Sequence, residues 1–227
     1  MTLFSPSKPV GYAKSLISFG AALTAYVDPS RGDMVALLSE LTSTSSLHKI
    51  RDKMIQSRQG QEILLEKPRI RSHTLLFHKY KQSIVYPKGS FGDHYVSYMK
   101  AHEFSPDERD DFIFERDELS YILLRYRESH DFLHVLTNLP TSVLGEISLK
   151  WFEMFQTGLP MTSLSAIIGS SRLSSSQKRI LISSYIPWAM SSSRNCDFVL
   201  SIKFEDMLHL PLEDVQKKIK LVPAPLV

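Results

Sequence analysis

The stretch "RESHDFLHVLTNLPTSVLGE", Arg127 to Glu146, holds two histidines four residues apart. An aspartate directly follows the first, and a glutamate lies twelve residues past the second. Residues four apart on an α-helix share a face, so His130 and His134 present two imidazoles to one point. Asp131 sits about 100° around the helix from His130 and about 60° from His134. The segment "TNLP" then breaks the helix: Asn138 and Pro140 are turn residues, and Thr141 is placed to cap a second helix folding back antiparallel. Glu146 falls in the first turns of that second helix. A helix hairpin of this kind closes two imidazoles and one or two carboxylates around one ion and leaves a position open for water or substrate. A histidine pair at this spacing is more often structural than metal-binding; the two added carboxylates bring the reading to an even balance.

Two other chemistries fit less well. The zinc-protease signature needs Glu directly after the first histidine, and Asp131 is one methylene shorter. Metal-dependent phosphohydrolases also use a His-Asp pair, but they need another upstream histidine and a later aspartate. His94, His102 and Asp197 are the candidates for those places, without supporting context.

Working outward, helical signals dominate. "DPSRGDMVALLSEL" from Asp28 begins with Asp before Pro, a helix N-terminus signature. "SSLHKIRDKMIQSRQGQEILLEKP" carries Leu47, Ile50, Met54, Ile63 and Leu64 and closes at Pro68. The region from Ser105 opens with Pro106 and acids. It continues into a stripe of Leu119, Ile122, Leu123, Tyr126, His130 and Leu133 at three- and four-residue steps. "TSVLGEISLKWFEMFQTGL" reads as a second apolar helix, "SSSQKRILISSYIPWAM" as a third capped by Ser176 or a neighbour, and "LEDVQKKIK" as a short one. Strand signals are few; "HTLLFHKYKQSIVYP" reads as a hairpin or a long loop. The expected fold is therefore a mainly α, single-domain helical bundle over residues 1–227, with residues 1–9 as candidates for disorder and a metal site on a helix hairpin.

At 227 residues and 43% hydrophobic, the chain can bury a sizeable core. The 27 basic and 24 acidic residues leave a net charge of +3, too small to call for nucleic acid. Cys196 stands alone, which excludes an intramolecular disulfide and a four-cysteine zinc site. No apolar run reaches the roughly 18 residues that a spanning helix needs, so a soluble or peripheral protein is expected. The first 27 residues carry Lys8 and Lys14 but no acid and no arginine and are read as part of the mature chain. From Lys67 to Gly92 there is again no acid, while Lys67, Arg69, Arg71, Lys79, Lys81 and Lys88 are interleaved with Leu75, Leu76, Phe77, Tyr80 and Tyr86. Such a segment suits an anionic membrane surface, with Arg69, Arg71, Lys79 and Lys81 as contact candidates. A solvated loop paired with the acidic stretch Asp107 to Glu118 is an equal alternative.

The stretch "HDFLHVLTNLPTSVLGE" resembles the His-Asp-x-x-His-x(11)-Glu motif of the coenzyme Q (ubiquinone) biosynthesis family required for ring C1 decarboxylation. "DPSRGDMVALL", "EKPRI", "GSFGDHYVSYM", "FSPDERDDFIF", "DELSYILLRYRESHD", "KWFEMFQTGLPM", "IPWA" and "VPAP" resemble family landmarks in the same order, over about residues 10 to 225. Departures such as "SELTST" (Ser39 to Thr44) and Ser142, where asparagine is common, leave the four motif positions untouched.

The resemblance implies zinc held by His130, Asp131, His134 and Glu146; the mixed nitrogen and oxygen set also suits iron or manganese. It implies a carboxy-lyase acting on 4-hydroxy-3-methoxy-5-polyprenylbenzoate, peripheral on the matrix face of the mitochondrial inner membrane. Other ubiquinone biosynthesis enzymes and a second copy of the chain are the implied partners. Loss of the carboxyl needs a general acid, for which Asp131 or water on the metal is the candidate. The polyprenyl tail needs an apolar slot. Small residues such as Gly20, Ala21, Ala22, Ser163, Ser165 and Ala166 among larger apolar ones fit a groove or ordinary helix packing equally. Met154, Phe155, Leu159 and Met161 read as core. The alternative function is a non-catalytic lipid-binding scaffold of the biosynthetic complex with a structural metal.

Overall fold

The computed structural model describes residues 41–75, 85–108 and 117–227, with isolated positions between 12 and 37. Among these residues the protein is helical throughout; no strand occurs, and one antiparallel bridge links Ser90 to Pro211. The principal helices are α1 (Thr44–Ile55), α2 (Arg58–Glu66), α3 (Phe91–Ala101), α4 (Glu118–Thr137), α5 (Val143–Thr157), α6 (Pro160–Gly169), α7 (Ser175–Ile180), α8 (Ile186–Asn195) and α9 (Leu212–Lys218).

Helix α4 is the axis of the fold. The Asp117 side chain accepts from the Ser120 amide to cap its start, and Asn138 ends it in the left-handed conformation at φ 58°. It is buried on nearly every side, which forces its polar residues to find partners inside. The Arg125 guanidinium is fully buried, forks onto the Glu205 carboxylate and donates to the Ile202 carbonyl at 2.7 Å. Beside it, Phe132 packs against Phe91 and Tyr95, with ring centroids 5.2 and 4.5 Å away, and against Phe204 at 5.6 Å. Burial of these aromatic groups, with the more numerous aliphatic side chains, supplies the core's driving force.

Ser142 caps α5 by accepting from the Gly145 amide, and Gly158 ends it at φ 62°. The cap is Ser142, one residue after the expected Thr141. Gly145 is required here because a Cβ would stand 2.1 Å from the Pro140 carbonyl oxygen. The hairpin turn can therefore fold tightly onto the start of α5. Helices α6 and α8 pack against α5. The C-terminal segment clamps the hairpin from the other side: Gln216 donates to the Leu136 carbonyl at 2.8 Å and the Ala224 amide to the Thr137 carbonyl at 2.9 Å.

Several boundaries differ from the expectations. The run from Ser45 to Lys67 is two helices, because Ser57 leaves the helical conformation and caps α2 through the Gly60 amide. Of the region from Ser105, the described residues form a 3₁₀ turn at Pro106–Glu108, 109–116 lie outside the described residues, and α4 starts from its own cap at Asp117. Residues 72–75 form one helical turn, whereas 76–84 lie outside the described residues, as does most of "DPSRGDMVALLSEL" and of residues 1–9. Ser174, with Gln177 reaching back in a capping box, starts the helix expected near Ser176.

Candidate metal centre

The α4–α5 hairpin brings three of the four expected ligands together. Ligand atoms of His130, His134 and Glu146 all lie within 4.8 Å of one another. His134 is buried, and its Nδ1 lies 2.9 Å from the Leu139 carbonyl oxygen. A carbonyl only accepts, so Nδ1 carries a hydrogen, and in the neutral ring Nε2 is left with a lone pair. That Nε2 is buried, finds no hydrogen-bond partner and faces Glu146 Oε1 at 3.1 Å. Two acceptors at that distance repel unless a cation or proton lies between them.

His130 repeats the arrangement. Its Nδ1 lies 2.6 Å from Glu153 Oε1, and its Nε2 lies 3.5 Å from Glu146 Oε2. Both imidazoles are therefore held from behind and aim Nε2 at one carboxylate. Metal-ligating histidines are oriented in this way, through an acceptor on the other ring nitrogen. Tyr98 stacks on the His134 ring at 5.6 Å, which fixes its plane. The side chains of His130 and His134 are 14% and 1% exposed but that of Glu146 is 37%, so the cluster opens outward at the glutamate.

Behind His130 lies a buried polar network invisible in the motif. Glu153 is fully buried; its Oε2 accepts from Tyr126 at 2.8 Å and from the Lys150 ammonium at 2.7 Å. Lys150 also donates to the Tyr126 hydroxyl at 3.0 Å. Burial disfavours the charged carboxylate of Glu153, but Lys150 and His130 outweigh it and hold the group down at about 2. Burial and Lys150 both push the His130 imidazole down, yet Glu153 and Glu146 prevail and raise it to about 9. Burial likewise opposes the charge on Glu146, whose carboxyl the two histidines hold well below the ordinary range. The cluster thus binds one positive charge strongly, a proton in the bare protein or a metal ion in its place. Nitrogen and oxygen donors with one open side fit zinc and equally iron or manganese.

Asp131 follows His130 on α4, is buried, and stands outside the three-residue group. His102 packs on Tyr98 at 4.6 Å between ring centroids, while His94 is exposed and Asp197 pairs with Lys220 at 2.9 Å. None of the three belongs to the group. Arg69 and Arg71 direct their charges inward to the buried Glu128, at 2.8 and 3.6 Å, and Arg71 also donates to the Asp107 carbonyl at 3.0 Å. Lys79 and Lys81 lie outside the described residues. Sequence reasoning missed Lys150, Glu153 and Tyr126. Spacing puts them on the ligands' helix faces, with Lys150 and Glu153 four and seven residues after Glu146 and Tyr126 four before His130, but does not show that they meet.

Comparison with known proteins bears on the family. Residues 8–225 match the model of the family described as coenzyme Q (ubiquinone) biosynthesis protein Coq4. The chain is 42% identical over 214 residues to the mitochondrial ubiquinone biosynthesis protein COQ4 homolog of Bos taurus, spanning 94% of this chain and 80% of that one. It is 40% identical over 222 residues to the Homo sapiens homolog, spanning 97% and 82%. A crystal structure from Nostoc punctiforme, provisionally named for ubiquinone biosynthesis, superposes with a TM-score of 0.68 over 90% of this chain and 97% of its own. At 17% identity it speaks for the fold alone. With the hairpin, the ordered landmarks and matches over nearly its whole length, this chain belongs to the Coq4 family of ubiquinone biosynthesis proteins.

Proposed function

We propose that the protein is a metal-dependent carboxy-lyase that removes the C1 carboxyl group of a 4-hydroxy-3-methoxy-5-polyprenylbenzoate, working at the matrix face of the mitochondrial inner membrane. The observation that carries the reading is the unpartnered, buried Nε2 of His134 facing a carboxylate oxygen 3.1 Å away. Such an arrangement calls for a cation. When bound, that cation supplies Lewis-acid stabilisation of an anionic oxygen on the substrate. The mitochondrial setting is supported by the names of the relatives. No helix among the described residues is long and apolar enough to cross a membrane, which agrees with peripheral attachment.

The chain's own residues then have defined tasks. His130, His134 and Glu146 hold the cation, with Asp131 as the fourth ligand that the family motif implies. Glu153 and the Leu139 carbonyl orient the two imidazoles. Lys150, from the buried side, holds the Glu153 carboxylate that orients His130. Electron density pushed from the para oxygen lets C1 take up a proton, and breaking the C1–carboxylate bond then returns its electron pair to the ring as carbon dioxide leaves. The candidate proton donors are water at the open side and the Asp131 carboxyl in an uncoordinated, protonated form. Glu146, the partly exposed member, marks the open side, and this favours a catalytic site over a closed structural one.

The direct test incubates the purified, zinc-loaded protein with a short-tailed substrate analogue and follows carbon dioxide release. Asp131→Asn is expected to keep the helical circular-dichroism signal and to stop that release. A wild-type protein that never decarboxylates, and an Asp131→Asn variant that loses association with the other biosynthetic enzymes, would instead make this a scaffold with a structural metal.

A further inference from the structure

Helix α6 turns one apolar face outward. Leu164, Ile167 and Ile168, at three- and four-residue spacing, are 39%, 60% and 44% exposed. Across from them a π-helical turn, Leu181–Tyr185, joins α7 to α8 and holds Ile182 at 67% exposure. The turn has a covalent cause. Pro187 has no amide hydrogen to offer the Ser183 carbonyl four residues back, and the chain widens so that the Ile186 amide reaches the Leu181 carbonyl. Ile167 and Ile182 line a shared groove of about 420 Å³ with Trp151, Leu181, Ile186 and Lys178. Isolated surface aliphatic residues are ordinary, but a cluster around a groove marks a contact surface.

The stretch of chain that builds α6, α7 and α8 carries charge of one sign. No Asp or Glu occurs from Met154 to Cys196, while Arg172, Lys178, Arg179 and Arg194 do. Arg172, Lys178 and Arg179 are exposed on the segment beside the groove. Protein interfaces are rich in aromatic residues at their centre. Here exposed isoleucine and leucine share an acid-free stretch of chain with exposed cations, the pattern of an element lying in a lipid headgroup region.

We infer that the face formed by α6 and the Leu181–Tyr185 turn docks the protein onto an anionic phospholipid bilayer. This assigns a surface to the peripheral attachment proposed above and rests on that reading, while its link to substrate delivery rests on the lyase activity. Trp151 in the groove follows Lys150 of the metal centre on α5, so one helix joins the lipid-facing surface to the polar network behind His130. A tail kept in the bilayer and a head at the metal centre would be served by the two sides of that helix. In the basic run from Lys67, Arg69 and Arg71 are turned to Glu128, while Lys79 and Lys81 lie outside the described residues.

The test is sedimentation of the full chain with vesicles of phosphatidylcholine alone or mixed with phosphatidylglycerol. Wild type is expected to sediment with the mixed vesicles and weakly with the neutral ones. Ile167→Ser/Ile182→Ser changes only exposed positions and should weaken binding at least about tenfold. Lys178→Gln/Arg179→Gln should weaken it about tenfold and flatten its salt dependence. Bound metal, measured in parallel, should not change in either variant, which separates this surface from the metal centre. Wild-type binding by both variants would overturn the proposal, as would absence of binding by wild type. A serine variant that turns from dimer to monomer while still binding vesicles would overturn it too, and would assign the face to self-association.

Discussion

His130 Nδ1 lies 2.6 Å from Glu153 Oε1, and this contact determines where the opposite edge of the imidazole points. Nε2 is thereby directed toward Glu146 and the neighbouring Nε2 of His134. The buried carboxylate is itself held by Tyr126 and Lys150, so the aim of His130 is set two residues deep into the core.

Glu153→Ala is therefore expected to lower metal affinity about 10- to 100-fold without removing any ligand. Competition with a chelator of known affinity measures the change. An unchanged affinity in a folded variant would show that α4 orients His130 unaided.

In the metal-free protein the His130 pKa is raised to about 9, against about 6.5 in an unfolded chain. A raised pKa stabilises the fold fully below the unfolded value, and that contribution fades as pH climbs through about 9. Metal-free protein should accordingly lose a few kcal/mol of stability between about pH 6.5 and 9. Metal needs the neutral ring, so apparent metal affinity should rise over the same interval, by up to about tenfold per pH unit. Denaturant unfolding and buffered-metal titrations across that range check both signs.

The hairpin was legible because each of its parts is local: a four-residue histidine spacing, a turn segment, a glutamate early in the next helix. Glu153 was not, because its role depends on the register at which α5 meets α4, which no spacing within one helix encodes. Arg69 and Arg71 read as a surface pair because their partner, Glu128, sits 59 residues from Arg69 on a helix whose burial on nearly every side breaks the amphipathic stripe. The break at Ser57 hides in continuous apolar spacing, and only its side chain's bond to the Gly60 amide reveals it. Helix content and the metal-facing residues thus come from local chemistry, while the supporting network comes from packing.

Arg125 offers a stability test far from the metal. Its guanidinium is fully buried and answered by Glu205. Glu205→Ala leaves that charge unpaired and should cost about 3–5 kcal/mol in denaturant unfolding. Metal affinity of the folded fraction should stay as in wild type. A loss below about 1 kcal/mol would mean that water or another group reaches the guanidinium.

The central claim, that His130 and His134 hold a metal with Glu146, is tested most directly by elemental analysis of purified protein. Wild type should carry about one divalent ion per chain. The His130→Ala/His134→Ala variant should keep its helical circular-dichroism signal and carry almost none. Full occupancy in that double variant would contradict the account.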